Sequence, residues 1–158
     1  IYVYSEPGKG TTFKIYLPST PNAKIEPVPG AAWSLPPGDE TILIAEDDAN
    51  IRTMLKVCLE QMGYSVLLAG DGREAVEVSR TYTGRIHLLL TDVIMPNMNG
   101  QELADALREK RKDLTVLFMS GYTHDVITHH GVMEQGVNFI QKPITLSALA
   151  NKLRDVLT

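Results

Sequence analysis

Short apolar segments alternate with segments of helical periodicity over most of this chain, and that alternation restricts the possible folds more than any other feature. Residues 42–45 and 86–90 are almost continuously apolar, which is typical of strands buried on both faces. After the first segment, apolar residues recur at intervals of three and four, as on one face of a helix. Asp48 is the expected N-cap of that helix, and Gly63 is its expected end.

The same strand–helix unit is predicted five times. Strands are expected at 42–45, 64–69, 86–90, 114–119 and 137–140. Helices follow each of them, the third over 101–112, the fourth over 124–135, and the last marked by apolar residues from Leu146 to Leu157. Such alternation produces a parallel sheet with helices on both faces. The sequence therefore predicts an α/β fold with a doubly wound, five-stranded parallel sheet.

The N-terminal part has a different character. Segments 1–5 and 11–17 are rich in β-branched and aromatic residues and flank the turn sequence Pro7-Gly8-Lys9-Gly10, so they predict a β-hairpin. Residues 18–40 contain six prolines and two glycines and predict a semi-extended linker. Trp33 in this linker is either a loosely held side chain or an anchor on the following domain. The predicted organisation is a hairpin at 1–17, a linker at 18–40 and a domain at 41–158.

Composition argues against several kinds of partner. A net charge of −4 and a pI near 5.5 disfavour a nucleic-acid surface, and the basic run from Arg108 to Lys112 is interpreted as a solvated helix end. The chain has no signal-peptide pattern and no apolar run of the about 18 residues that span a membrane. Its single cysteine, Cys58, is predicted to pack in the core and cannot form an internal disulfide, so we expect a reducing, cytoplasmic compartment.

Chemically active side chains stand at the ends of four predicted strands. In chain order these side chains are Glu46, Asp47, Asp48, Asp92, Ser120 and Lys142. Parallel sheets of this kind form their sites at the carboxyl edge, so we expect these groups to converge there. Taken singly, each has an ordinary explanation, since acids favour helix starts and the other groups are common in loops. Their joint position at one edge indicates a site.

Clustered carboxylates repel one another unless a cation neutralises them, and oxygen ligands select Mg²⁺ or Mn²⁺. The predicted ligands are three carboxylates, one of them acting directly or through water, and one backbone carbonyl: Asp47, Asp92, Glu46 and Ile94. A carboxylate in such a pocket can accept a phosphoryl group as an acyl phosphate. The ammonium of Lys142 and the hydroxyl of Ser120 would then balance the phosphoryl oxygens.

Four stretches carry a family resemblance: ILIAEDDANIR (42–52), LLLTDVIMPNMNG (88–100), VLFMSGY (116–122) and NFIQKPI (138–144). They resemble the response regulator receiver family of two-component signalling, over residues 40–157. The resemblance implies a flavodoxin-like sheet of order 2-1-3-4-5. It also implies five roles: phosphoacceptor Asp92, acidic pair Glu46 and Asp47, switch hydroxyl Ser120, pocket lysine Lys142 and rotating aromatic Phe139.

The stretch YSEPGKGTTFKIYLP (4–18) resembles the last hairpin of a histidine-kinase ATP-binding domain. The rest of such a domain is absent, so this chain is not expected to bind ATP. The order of kinase tail, Pro-rich linker and receiver is that of a hybrid sensor histidine kinase. The expected partner is therefore a histidine kinase or a histidine-containing phosphotransfer protein, and the parent chain would be a phosphotransferase.

Other interpretations fit less well. A P-loop is excluded because Gly10 follows Lys9 and Val3 replaces the first glycine of the motif. A haloacid-dehalogenase-type hydrolase would need a second acid where Ile94 stands, so we expect a phosphoryl intermediate to persist. A degenerate receiver that only binds protein has no support, because no pocket residue is missing. His124, His129 and His130 have poor geometry for a metal site, and His87 is predicted to be structural.

Overall fold

A computed structural model describes residues 1–17, 38–121 and 137–157 of the chain. Contacts divide the chain into two compact units, Ile1–Leu35 and Pro36–Thr158. Most of the predicted linker, including Trp33, lies outside the described residues. The predicted fourth helix at 124–135 and the three histidines near it also lie outside them.

The described part of the first unit is a β-hairpin. Strand β1 (Tyr2–Glu6) pairs antiparallel with β2 (Gly10–Lys14), and Lys9 N–H closes the turn by donating to the Glu6 carbonyl at 3.0 Å. Gly8 and Gly10 have φ values of 77° and 95°, which glycine adopts without steric cost. The hairpin prediction is confirmed, but β2 ends at Lys14 rather than residue 17. Lys14 already pairs with Tyr2, the first residue of β1, so the ladder between the two strands ends there.

The second unit contains the predicted parallel sheet. Its strands are β3 (Thr41–Ala45), β4 (Ser65–Ala69), β5 (Leu88–Asp92), β6 (Thr115–Ser120) and β7 (Asn138–Gln141). They pair in the order β4-β3-β5-β6-β7, and every pair is parallel. The flavodoxin-like order 2-1-3-4-5 is therefore confirmed.

Four helices are present in the described part of the chain, where the sequence predicted five for the whole. They are α1 (Ala49–Gln61), α2 (Gly72–Thr81), α3 (Gly100–Arg108) and α4 (Leu146–Leu157). Asp48 caps α1 as predicted, with its carboxylate accepting from the Asn50 and Ile51 N–H groups. Gly63 follows this helix with a φ of 94°, which fits its predicted role at the helix end.

The helices cover both faces of the sheet. One core cluster contains Leu103 and Leu107 of α3 and Ala75 of α2, and the other contains Leu55 and Leu59 of α1 with residues of α4. Cys58 lies in α1 and is half-buried, rather than packed in the core as predicted. Its partial burial raises the pKa of its thiol. His87 has a structural contact, because its Nδ1 accepts from the Thr41 N–H at 2.9 Å.

Three strands lie one or two residues later than predicted, because the ladder extends into polar residues. Asp92 pairs with Met119, and Ser120 pairs with Gln141, so both site residues close their strands rather than follow them. Apolar runs predict where a strand is buried, whereas hydrogen bonding decides where it ends.

The basic run agrees with its prediction as a solvated helix end at Arg108, Lys110 and Lys112, which are exposed, but not at Arg111. Helix α3 ends at Arg108. The guanidinium of Arg111 donates to four acceptors in and just after the last turn of α2: the Ser79 hydroxyl and the carbonyls of Ser79, Tyr82 and Gly84, at 2.8–2.9 Å. Arg111 is thus a structural link. Within the described ranges, no helix has the length and apolar character needed to cross a bilayer.

Candidate functional site

The carboxyl edge of the sheet brings together acids from two strands. Glu46 directly follows β3, and its N–H donates to the Ala69 carbonyl at 3.2 Å, so it extends the ladder with β4 by one residue. Asp92 ends β5, the neighbouring strand. Carboxylate oxygens of Glu46, Asp47 and Asp92 all lie within 4.8 Å of one another.

Lys142 crosses to these acids from the end of β7. Its Nζ donates to Glu46 Oε2 at 2.8 Å and to Asp92 Oδ2 at 2.7 Å. Its backbone N–H donates to the Ser120 carbonyl at 2.8 Å, which fixes the loop after β7 against the end of β6. Four strand ends that are distant in sequence are therefore joined by hydrogen bonds.

Burial gives the members of the pocket different electrostatics. Glu46 is only 1% exposed, and this desolvation raises the pKa of its carboxyl despite the hydrogen bond from Lys142. Burial alone would lower the pKa of Lys142, but the hydrogen bonds to Asp92 and Glu46 outweigh it and the pKa lies above its ordinary value. Asp92 keeps 17% of its side chain exposed, so the carboxylate is open to a reactant.

Asp48 has a different position from the other predicted acids. Its carboxylate caps α1, where hydrogen bonds from the Ile51 and Asn50 N–H groups lower the pKa of the carboxyl. The ordinary interpretation of the acidic run as a helix cap therefore applies to Asp48. Glu46 and Asp47 lie in the cluster instead.

The remaining predicted residues lie in the loop after β5, at the end of β6 and in β7. The backbone N–H of Ile94 donates to Asp92 Oδ1 at 3.3 Å, and the Ile94 side chain is 44% exposed beside it. Ser120 is 2% exposed at the end of β6. Phe139 lies in β7 and packs half-buried against the core cluster of α2 and α3.

Residues 42–154 match the family model for the response regulator receiver domain. The chain belongs to this family. It is a receiver domain of two-component signalling, homologous to the receivers of hybrid sensor kinases.

Known receivers and kinases show how far the similarity extends. The chain is 34% identical to sensor kinase CckA of Brucella abortus (strain 2308) over 99% of its own length, but it spans only 18% of that kinase. The solved receiver domain of hybrid histidine kinase CckA is 36% identical, with a TM-score of 0.64 over 75% of this chain and 99% of that one. Chemotaxis protein CheY4 of Vibrio cholerae is 29% identical, with a TM-score of 0.68 over 76% of this chain and all of that chain.

Two residues of this receiver site escaped the sequence analysis. A Cβ on Gly100 would lie 2.2 Å from the Asp92 carbonyl oxygen, so only glycine lets α3 start this close to the acceptor strand. The sequence signal for Gly100 was its position at the end of the Asp-x-x-Met-Pro-x-Met-x-Gly stretch that begins at Asp92.

Arg52 is the second residue that the sequence analysis did not identify. It donates from one nitrogen, Nη1, to the Glu46 carbonyl at 2.5 Å and the Asp47 carbonyl at 3.3 Å. In the sequence it is only one cation in a helix.

The donor set of this receiver fits a hard divalent cation. Receiver domains generally bind Mg²⁺, and three carboxylates from two strand ends provide the oxygen ligands that this ion prefers. The single ammonium of Lys142 neutralises part of their charge. Two positive charges from a cation would neutralise the remainder.

Proposed function

We propose that Asp92 of this receiver accepts a phosphoryl group from a phosphohistidine. The observation that carries the proposal is the accessible Asp92 carboxylate, which is hydrogen-bonded to the ammonium of Lys142 and lies within 4.8 Å of carboxylate oxygens of Glu46 and Asp47. A carboxylate oxygen of Asp92 attacks phosphorus, the phosphorus–nitrogen bond breaks, and the imidazole leaves. The product is an acyl phosphate on Asp92.

Positioning and charge account for most of the catalysis that such a transfer requires. The Ile94 N–H and Lys142 Nζ each hold one oxygen of the Asp92 carboxylate, so its plane is fixed before reaction. Asp47, Asp92, Glu46 and the Ile94 carbonyl are the proposed Mg²⁺ ligands. A bound Mg²⁺ supplies charge neutralisation for the phosphoryl oxygens. Lys142 remains beside Asp92 to balance the added negative charge.

The same pocket supports a switch between two states. Ser120 ends β6 beside Gln141 of β7, two residues after Phe139. We propose that the Ser120 hydroxyl bonds a phosphoryl oxygen, that Phe139 turns inward, and that the β7–α4 surface changes as a result. The half-buried position of Phe139 is consistent with a side chain that has two possible packings.

The parent protein is proposed to be a hybrid histidine kinase. Similarity to CckA over nearly the whole chain includes the hairpin, which supports its interpretation as the tail of a kinase ATP-binding domain. The proposed partner is a histidine kinase domain or a histidine-containing phosphotransfer protein, and we place the receiver itself in the cytoplasm. The kinase activity belongs to the parent, since this chain carries only the tail of an ATP-binding domain.

Acetyl phosphate with Mg²⁺, followed by intact mass, tests the proposal. We expect a gain of one phosphoryl group in the wild-type chain, no gain with EDTA and no gain in Asp92→Asn. Asp113→Asn is the matched control, because Asp113 is an exposed aspartate outside the pocket. A phosphorylated Asp92→Asn chain, or an unreactive wild-type chain, would contradict the proposal.

A further inference from the structure

Asp47 is the least restrained carboxylate of the pocket. Glu46 is held through both of its carboxylate oxygens, by Lys142 Nζ and the Asp48 N–H, and Asp92 is held by Lys142 and the Ile94 N–H. The Asp47 side chain is exposed, and within residues 38–121 and 137–157 no hydrogen bond to its carboxylate is present. Its position therefore depends on its backbone.

Arg52 holds that backbone. One nitrogen, Nη1, donates to two successive carbonyls, those of Glu46 and Asp47, at 2.5 and 3.3 Å. The Arg52 backbone N–H donates to the Asp48 carbonyl at 2.9 Å, so three consecutive carbonyls after β3 are bound by one residue of α1. These contacts join the first turn of α1 to the segment that carries two of the three clustered acids.

We propose that Arg52 is a positioning residue for the divalent cation, because it fixes the peptide that carries Asp47. The inference rests on the proposed function, since it assigns a role in the same pocket. Arg52 would touch neither the cation nor the phosphoryl group. Outer-shell partners of this kind typically change metal affinity about 10- to 100-fold when they are removed.

Charge and position make opposite predictions at this residue. Arg52 is a cation close to an acidic pocket, so its charge alone disfavours Mg²⁺, and removing it would tighten binding. If it acts by fixing Asp47, removing it weakens binding. Arg52→Met keeps the length of the side chain while removing both charge and donors, and so separates these two effects by the sign of the change.

Mg²⁺ affinity is measured by following backbone amide shifts during MgCl₂ titration, without any phosphodonor. We expect Arg52→Met to raise the Mg²⁺ dissociation constant about tenfold. Arg52→Lys keeps the charge, but its ammonium lies one bond short of the position of Nη1, and we expect a smaller, several-fold loss. Arg80→Met is the matched control, since Arg80 is exposed and pairs with Glu77 in the last turn of α2. Its dissociation constant should equal that of the wild type.

Thermal unfolding in EDTA separates positioning from a purely structural role, which would lower stability without changing Mg²⁺ affinity. An unchanged or lower dissociation constant in a folded Arg52→Met chain would overturn the inference alone. If Arg52→Met does not fold, the inference depends on Arg52→Lys, and wild-type affinity in that variant would overturn it. A wild-type chain that binds no Mg²⁺ would overturn the proposed function as well.

Discussion

Glu46 is almost fully buried in a pocket that also contains two other carboxylates, and this arrangement opposes stability. Desolvation raises the pKa of its carboxyl above the ordinary 4.5, so the folded chain binds this proton more tightly than the unfolded chain. The contribution of Glu46 to the free energy of unfolding therefore falls as pH rises from about 4.5 through the raised value.

Replacing Glu46 with Gln should remove this cost. At neutral pH in EDTA, we predict that Glu46→Gln is as stable as the wild type or up to about 2 kcal/mol more stable, because a buried charge is gone. The difference should shrink as pH falls toward about 4.5. Urea unfolding at several pH values measures this difference in stability. The Mg²⁺ affinity of Glu46→Gln should fall, because a proposed ligand is removed. A large loss of stability at neutral pH would show that the Glu46–Lys142 pair stabilises the fold.

Gly100 limits how near α3 can start to Asp92. We predict that Gly100→Ala destabilises the chain by about 1–3 kcal/mol, because the added methyl would overlap the Asp92 carbonyl oxygen and force α3 outward. Gly121→Ala is the control, since a Cβ there meets no described atom within 4 Å. Urea unfolding compares the two. Equal stabilities would mean that α3 moves without cost.

Among the secondary-structure elements, α2 and α3 are joined by a side chain that the sequence did not reveal. Arg111 donates to the Ser79 hydroxyl and carbonyl in the last turn of α2 and to two carbonyls after that helix, those of Tyr82 and Gly84. We predict that Arg111→Ala costs about 2–4 kcal/mol, since these buried acceptors would lose a charged donor. Its exposed neighbour gives the control Lys112→Ala, expected within about 0.5 kcal/mol of the wild type. Similar urea midpoints for both variants would contradict the structural role of Arg111.

The helices and strands whose positions were predicted correctly are those marked by nearby residues, such as a cap or an apolar run. Helix α1 has Asp48 as its cap and Gly63 shortly after its end, and all five residues of β3 are buried, four of them apolar. Strand ends and the basic run were placed less well, because they depend on partners distant in sequence. Asp92 belongs to β5 only because Met119 pairs with it, and Arg111 is bound only because α2 ends nearby.

The prediction of the site depended on the parallel order of the strands more than on any single residue. Parallel strand order determined that Glu46, Asp92 and Lys142 would meet, and their distances agree with that expectation. The contributions of Arg52 and Gly100 could not be read in the same way. One acts through backbone carbonyls and the other through the absence of a side chain, and neither leaves a pattern of charge or hydrophobicity.

At the scale of the whole molecule, the second unit includes residues before its first strand. Gly38 N–H donates to the Met62 carbonyl at 2.9 Å, the Glu40 carbonyl accepts from Ser65 N–H at 3.0 Å, and the Glu40 carboxylate pairs with Arg154 of α4 at 3.6 Å. These contacts tie the segment before β3 to α1, β4 and α4.

Truncation tests the independence of this unit. We predict that residues 38–158 unfold with the same free energy as the second unit of the full chain, because this fragment keeps the described hydrogen bonds of Gly38 and Glu40 and the whole sheet. A chain of residues 41–158, which keeps all of β3, should lose about 1–3 kcal/mol with the Gly38 and Glu40 hydrogen bonds. Urea unfolding of both fragments measures this. Failure of 38–158 to fold would mean that the N-terminal unit contributes to receiver stability.

Asp92 is proposed as the phosphoacceptor, and chemical identification of the phosphorylated residue tests this assignment. After reaction with acetyl phosphate and Mg²⁺, borohydride reduces an acyl phosphate to a primary alcohol, so an aspartyl phosphate becomes homoserine. We predict homoserine at position 92 alone, with Asp47 and Asp113 unmodified, and none without Mg²⁺. Reduction at another aspartate, or a phosphoryl group that resists borohydride, would contradict the assignment of Asp92.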